Sequence, residues 1–175
     1  MTDVTFRPAH TADAAALHAL VSGHVKEGHL LPRSLDELTR HATRFVVGEA
    51  GGEIVACAEL APLSRRVAEV RSLVVSKAFR RGGLAGRLVD TLSARARTLG
   101  FESLCAFTHD ARFFLRQNFS IVPHHFLPEK ISTDCVSCPL FRTCGQLAMI
   151  LPLEIGRAMA RPAAQPAVIR RKRVA

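Results

Sequence analysis

The sequence predicts an α/β domain in which helices flank a mixed, twisted central sheet. Short apolar runs typical of strands alternate with segments of helical periodicity, in the order β-α-α-β-β-β-α-β-α-β-β. One such run, residues 70–75, leads into a basic glycine-rich turn at 80–86, after which leucines recur at helical spacing. Hydrophobic residues make up 48% of the 175 residues, so a single domain can bury a sizeable core.

The first part of the chain predicts one strand and two helices. Val4–Pro8 has the composition of a short strand that a proline ends, and Thr11 or Asp13 can cap the helix that follows. Ser34 and Glu37 have the spacing of a capping box, in which each side chain satisfies a free N–H of a second helix.

Three strands follow these helices. Apolar segments at 45–47 and 54–58 flank the turn Ala50–Glu53, whose two glycines are typical of a β-hairpin. Residues 68–75 form the next predicted strand.

The second part of the chain predicts a long amphipathic helix over 83–99, which Gly100 ends. The remaining predicted elements are a strand at 104–108, a short helix at 111–117, and strands at 119–122 and 147–151.

The glycine-rich turn has the features of an anion site. A helix N-terminus presents unpaired N–H groups and the positive end of the helix dipole, and glycines let a ligand approach the backbone. The turn contains neither Gly-x-Gly-x-x-Gly nor Gly-Lys-Ser/Thr, the two common nucleotide motifs. The pattern that it does contain is Arg80-x-x-Gly83-x-Ala85.

This pattern resembles the Arg/Gln-x-x-Gly-x-Gly/Ala turn of the GNAT superfamily of acyltransferases, which binds the pyrophosphate of acetyl-CoA. The resemblance implies a GNAT-type fold and acetyl-CoA as co-substrate. It also implies that a bulge in the preceding strand aims the N–H of Val74 or Val75 at the thioester oxyanion. The implied acetyl-CoA contacts are Leu73, Val74, Val75, Arg80, Arg81, Gly82, Gly83, Leu84, Ala85 and Gly86.

Other segments resemble a narrower group, the short single-domain bacterial N-acetylglutamate synthases. These segments are Leu30–Ser34, Glu69–Val75, Phe113–Phe119, Leu127–Lys130 and Cys135–Pro139, and the resemblance covers roughly residues 4–152. It implies transfer of acetyl to the α-amine of glutamate, the first step of arginine biosynthesis, by direct attack in a ternary complex.

This implied reaction suggests roles for five residues. Glu69 is the candidate general base and Glu59 the runner-up, because an amino-acid ammonium must lose a proton before it attacks. Arg33 and Arg71 are the first candidates to bind the two carboxylates of glutamate, since a guanidinium binds a carboxylate in bidentate fashion. Lys130 is the third candidate.

The chain departs from the superfamily at two positions, with Phe114 where tyrosine is frequent and Asn118 where glycine is frequent. Because the sequence contains no tyrosine, a phenolic general acid is excluded. A CoA thiol has a pKa near that of cysteine, about 8.5, so its thiolate can leave near neutral pH.

Three cysteines form a compact group, Cys135-x2-Cys138-x5-Cys144. The first pair has the spacing of zinc ligands, and His124, His125 or Asp134 could complete a structural site, but a loop of free thiols is the favoured interpretation. No metal residue is therefore assigned.

The composition also limits the possible cellular location and binding partners of the protein. Five cysteines without a visible signal peptide predict a cytoplasmic protein, and no apolar run approaches the ~20 residues of a membrane span. The net charge of +9 is partly due to residues 153–175, predicted to be a disordered basic tail beyond a domain at 1–152. Nucleic acid is a disfavoured partner, small-molecule substrates are expected, and a homodimer stays open.

Two alternative functions remain open from the sequence alone. One keeps acetyl-CoA but changes the acceptor to glutamine or another amine. The other is a non-catalytic acyl-CoA sensor or a nucleic-acid-associated module, which the missing tyrosine, the three thiols and the basic tail would suit.

Overall fold

A seven-stranded mixed sheet organises the fold, with neighbouring strands in the order β1-β2-β3-β4-β5-β7-β6. The structure is a computed structural model, and it describes residues 3–27 and 30–153. The strands are β1 (Thr5–Pro8), β2 (Phe45–Ala50), β3 (Glu53–Pro62), β4 (Val67–Val75), β5 (Ser103–Thr108), β6 (Ser120–Val122) and β7 (Leu147–Pro152). All neighbouring pairs are antiparallel except β4 and β5, which are parallel.

Helices cover both faces of this sheet. They are α1 (Ala14–Val25), α2 (Leu35–His41), α3 (Leu84–Thr98), α4 (Arg112–Arg116) and α5 (Pro128–Thr133). The predicted order of strands and helices is confirmed, and α5 is an element that the sequence did not indicate.

The two faces have separate cores because successive strand residues point to opposite sides. On one face, Leu88 and Leu92 of α3 pack against Ala58 of β3 and Val70 of β4. On the other face, α1 and α2 pack against a cluster that includes Val47 of β2 and Cys57 of β3. The amphipathic spacing of α3 thus covers one side of the central strands completely.

Glycines end elements where the sequence predicted turns. Gly51 and Gly52 join β2 to β3 with φ of 59° and 84°, the left-handed conformation that a two-residue hairpin turn requires. Gly100, after α3, has φ of 82°. Asn118 has φ of 63°, which explains why a glycine is also suitable at this position.

Strands β4 and β5 pair only at their beginnings. Their register runs from Val67 opposite Ser103 to Glu69 opposite Cys105, and there the pairing stops. Both strands continue, β4 to Val75 and β5 to Thr108, so the sheet is open between their second halves.

Strand β4 also contains a bulge at this point. Cys57 of β3 is opposite Val74 and Glu59 is opposite Arg71, so Ser72 and Leu73 together oppose the single residue between them on β3. Ser72 has φ of 48°, a left-handed conformation that is rare outside glycine. After the bulge the pairing with β3 resumes, with Val74 opposite Cys57 and Val75 opposite Ala56.

Two capping predictions were only partly right. The side chain of Ser34 accepts a hydrogen bond from the Glu37 N–H at 3.1 Å, as predicted, but the Glu37 carboxylate contacts Arg33 at 2.7 Å instead of completing the box. The Asp13 side chain makes no cap hydrogen bond to α1, because it accepts from Arg7 and from the His10 N–H.

The end of the described chain lies one residue past the predicted domain boundary. Leu153 is buried, and its N–H donates to the Glu102 carbonyl at 2.8 Å, so it packs with the domain. The rest of the predicted tail, 154–175, lies outside the described residues. Across 3–27 and 30–153, no helix is long and apolar enough to cross a membrane.

We expect Leu88→Ala to lower the free energy of unfolding by ~2–5 kcal/mol, because it opens a cavity under α3 where Leu88 is fully buried. Leu99→Ala is the matched control, since Leu99 is 59% exposed, and it should change stability by ~0.5 kcal/mol or less. Urea unfolding measures both variants. Equal losses would contradict the assignment of the core.

Candidate active site

The turn after β4 forms a backbone cradle at the N-terminus of α3, here called the anion cradle (residues 81–86). Arg81 and Gly83 have φ of 70° and 74°, so two residues of the turn adopt the left-handed conformation before the helix starts. The Arg87 N–H is the donor that bonds to the Gly83 carbonyl, at 3.1 Å. The N–H groups of the three preceding helical residues therefore have no acceptor within the helix and point out of its positive end.

An open cavity of about 390 Å³ lies against this cradle. Its other wall is formed by Phe113 and Arg116 of α4 and by Gln117, which directly follows that helix. A Cβ at Gly86 would lie 3.2 Å from Nε2 of Gln117, so glycine permits this close approach. The segment 113–119 was part of the family resemblance, but no local pattern indicated that it faces the cradle.

Arg80 stabilises the turn rather than extending into the cavity freely. Its Nε donates to the Val75 carbonyl at 3.0 Å and its Nη2 donates to Glu27 at 2.8 Å. The Arg80 hydrogen bond lowers the pKa of Glu27, although burial of that carboxyl acts in the opposite direction. Arg80 thereby connects the end of β4 to the end of α1, while Arg81 is exposed beside the cradle.

The predicted catalytic and acceptor residues meet on one face of the sheet. Glu59 is directly opposite Arg71 across β3 and β4, and Glu69 lies two residues before Arg71 on the same face. Lys130 of α5 reaches Glu69 from outside the sheet, with Nζ at 2.9 and 2.8 Å from its two carboxylate oxygens. Glu69 and Arg71 of β4 thus meet Lys130, which is 61 positions from Glu69 in the sequence.

A fourth residue completes this group, here called the ion-pair cluster (Glu69, Arg71, Lys130 and Asp134). Arg71 Nε donates to Glu69 at 2.5 Å, and Arg71 Nη2 donates to Asp134. Lys130 Nζ also donates to Asp134, at 2.8 Å. Burial acts to lower the pKa of Arg71, but Glu69 and Asp134 outweigh it, and the pKa is raised.

Arg33 lies on the other side of the bulge in a second set of contacts. Its Nη1 donates to Glu59 at 2.9 Å and to the Ser72 hydroxyl at 3.0 Å, while its Nε lies 2.7 Å from Glu37. His41 Nδ1 is 3.7 Å from the second oxygen of Glu59.

The Glu59 carboxylate is buried and incompletely hydrogen-bonded. In the described part of the chain, Glu59 Oε1 and His41 Nδ1 are both buried without a hydrogen-bond partner. Burial lowers the pKa of His41, and the nearby Arg44 acts in the same direction. His41 is therefore largely neutral at pH 7, and Arg33 is the main compensation for the Glu59 charge.

The structure thus brings together Glu69, Arg71 and Lys130, and it places Arg33 next to them through Ser72. The residues Leu73, Val74 and Val75 follow the bulge and lead towards the anion cradle. Sequence reasoning missed the roles of Ser72 and Asp134, because each depends on a contact with a distant residue. It also missed the contact of Glu37 with Arg33, because Glu37 was assigned to the capping box. All three predicted acceptor cations already contact carboxylates of the protein.

The cysteines divide into buried and accessible groups. Cys57 and Cys105 are buried, and burial raises the pKa of Cys57 to about 12 and that of Cys105 well above its ordinary value. In residues 3–27 and 30–153, no group of three or more His, Cys, Asp or Glu side chains is placed to bind a metal ion. The structure therefore gives no support to a zinc site at Cys135, Cys138 and Cys144.

The site combines an open parallel pair of strands, a bulge at the opening and an anion cradle after it. This combination is typical of proteins that bind a phosphate-containing ligand beside a reactive cleft. The model of the Acetyltransferase (GNAT) family matches residues 14–119. The chain belongs to this family, and its mixed seven-stranded sheet is a GNAT fold.

Three relatives are informative. An uncharacterized N-acetyltransferase of Chlorobaculum tepidum is 31% identical over 151 residues, 86% of this chain and 97% of that protein. An amino-acid acetyltransferase of Pseudomonas putida is 34% identical over 116 residues, 65% of this chain but 27% of that protein. The N-acetylglutamate synthase of Neisseria gonorrhoeae, solved with coenzyme A and N-acetyl-glutamate, is 26% identical with a TM-score of 0.76, covering 87% of this chain and 36% of that chain.

We expect a thiol reagent at pH 8 to modify only three of the five cysteines of the native protein. Cys57 and Cys105 are buried and have raised pKa values, so each carries very little thiolate at this pH. Absorbance of the released reagent measures the count, and denaturation should raise it to five. Cys144→Ser should remove one fast-reacting thiol, whereas rapid reaction of all five would contradict the burial of the two strand cysteines.

Proposed function

We propose that the protein transfers the acetyl group of acetyl-CoA to the α-amine of L-glutamate, as an N-acetylglutamate synthase, by direct attack in a ternary complex. The observation that supports this best is the position of three cations at the β4 bulge, beside the anion cradle: Arg71 and Lys130 contact Glu69, and Arg33 contacts Glu59 and Ser72. The names of the Pseudomonas putida and Neisseria gonorrhoeae relatives support the same acceptor.

The residues of the cradle fit the phosphates of acetyl-CoA. N–H groups of Leu84, Ala85 and Gly86 at the start of α3 would bind the pyrophosphate, and the exposed Arg81 would add positive charge. The opening between β4 and β5 would accept the pantetheine arm as an added strand, along Leu73 and Val75. When bound, acetyl-CoA supplies the thioester carbonyl that the amine attacks.

Two groups of the chain would assist the chemistry. Glu69 lies on the acceptor face and would take a proton from the substrate ammonium, directly or through water. The N–H of Val74 or Val75, just after the bulge, would stabilise negative charge on the thioester oxygen. Holding amine and thioester together at the bulge would supply much of the acceleration.

The acceptor carboxylates would bind to the arginines and the lysine. Arg71 and Lys130 lie on one side of the bulge and Arg33 on the other, so they can contact two separate carboxylates of one small molecule. Guanidinium groups favour this because they bind carboxylates in bidentate fashion.

One observation favours a second acceptor, glutamine. Glu59 and Glu37 both contact Arg33, so the positive charge on that side of the bulge is already balanced. A side-chain amide needs hydrogen bonds but no net charge in its site. The acceptor panel below separates these two candidates.

The acceptor assay measures CoA thiol release from acetyl-CoA with L-glutamate, L-glutamine, other amino acids, spermidine and a peptide. We expect the highest kcat/KM with L-glutamate. Arg33→Ala and Arg71→Ala should each reduce it roughly 10–100-fold, the worth of a hydrogen bond to a charged group. Arg66→Ala is the control, since the Arg66 side chain is 73% exposed and pairs with Glu102 at the surface, and it should leave the rate unchanged. Acetyl-CoA binding without turnover on any amine would refute the proposal and favour an acyl-CoA sensor.

The cradle is tested separately by Gly83→Ala. Gly83 has φ of 74°, and a left-handed alanine costs ~1–2 kcal/mol, so we expect the KM for acetyl-CoA to rise roughly tenfold. The KM for the acceptor should change little. Gly23→Ala is the control glycine, because a Cβ has no atom within 4 Å at either glycine, but Gly23 lies in α1 and does not have a positive φ. Equal effects of both variants would argue against a cradle at this turn.

A further inference from the structure

Asp134 is the one member of the ion-pair cluster to which neither the family resemblance nor the proposed chemistry gives a role in the reaction. It lies directly after α5 and its carboxylate accepts hydrogen bonds from both Arg71 and Lys130. These are two of the three cations proposed to bind the acceptor. Asp134 therefore occupies the hydrogen-bonding positions that an acceptor carboxylate needs.

The charges of the cluster are balanced before any ligand binds. Two cations, Arg71 and Lys130, face two carboxylates, Glu69 and Asp134. An acceptor carboxylate that joined this group would make it net negative in a partly buried place, which is unfavourable. One carboxylate must leave before another can enter.

Asp134 is the carboxylate that can leave. Its side chain is 31% exposed, whereas that of Glu69 is 5% exposed, so Asp134 can return to water at small cost. It also follows the C-terminus of α5, where the helix dipole disfavours a negative charge. Lys130 is retained on the inner side by Glu69 and by the Phe107 ring, 5.2 Å from its Nζ.

We propose that Asp134 is a specificity-determining residue that competes with the acceptor for Arg71 and Lys130. This inference rests on the proposed function for the identity of the acceptor. A carboxylate-bearing acceptor displaces Asp134 and takes both cations. An amine that lacks a carboxylate cannot compensate the charge of the two cations. It therefore leaves Asp134 in place and does not bind at the cluster.

The test uses a binding probe that needs no turnover. Glutarate, a dicarboxylate without an amine, is titrated by calorimetry into the full-length protein with saturating CoA. We expect Asp134→Asn to tighten glutarate binding about tenfold and to lower the KM for L-glutamate similarly, while the KM for acetyl-CoA stays constant.

Glu129→Gln is the matched control. It removes a charge of the same sign from α5, the helix that Asp134 follows, but the Glu129 side chain makes none of the ion pairs of the cluster. Its glutarate affinity should equal that of the unaltered protein. If both variants tighten binding equally, the effect is one of net charge and the inference is wrong.

Two further outcomes would overturn the inference. Weaker glutarate binding by Asp134→Asn would mean that Asp134 positions Arg71 and Lys130 for the acceptor, and unchanged binding would mean that it does not compete. Asp134→Ser provides the same test if the asparagine variant does not fold. If the unaltered protein does not acetylate L-glutamate but Asp134→Asn still binds glutarate more tightly, the proposed function fails while the competition stands.

Discussion

The separation of β4 from β5 is the constraint on which the rest of the structure depends. Pairing ends at Glu69 and Cys105, and the bulge at Ser72 then directs the end of β4 towards the anion cradle. A continuous ladder would fill the space that the proposed pantetheine arm requires, and it would pair backbone groups that a ligand needs. One local failure of strand pairing therefore creates both the opening for a donor and the place where an acceptor can meet it.

The carboxylates at this opening link stability to function. Glu59 and Glu69 are buried, and a buried carboxylate needs a cation, since removal of one partner of a buried pair costs ~3–5 kcal/mol. Arg33, Arg71 and Lys130 supply these cations. The same side chains are proposed to bind the acceptor. A loss of activity in an arginine variant can therefore be interpreted only when the stability of that variant is also measured. This is a physical reason for comparing kcat/KM with stability in each variant.

Local patterns predicted the order of strands and helices along the chain, the Gly51–Gly52 turn, the extent of α3 and the glycine-rich turn before it, because periodicity and glycine positions act over a few residues. They did not predict α5, which is short and has little periodicity. Nor did they predict that the arginines pair with Glu59 and Asp134, since these contacts join residues 26 and 63 positions apart. The family resemblance named Glu69, Arg71 and Lys130, but only the folded chain shows what each of them contacts.

The two sides of the bulge differ in how freely their carboxylates can exchange with a ligand. Glu59 is 1% exposed, and displacing it from Arg33 would leave its buried charge with only the longer contact to Arg44, at 3.9 Å. Asp134 is near the surface and can be hydrated when it leaves Arg71 and Lys130. An incoming carboxylate therefore meets the lower barrier on the α5 side. The proposed acceptor, bound there, would have its ammonium close to Glu69. Its group on the Arg33 side would meet an arginine that is already paired with Glu59, and this asymmetry would give a small acceptor one preferred orientation.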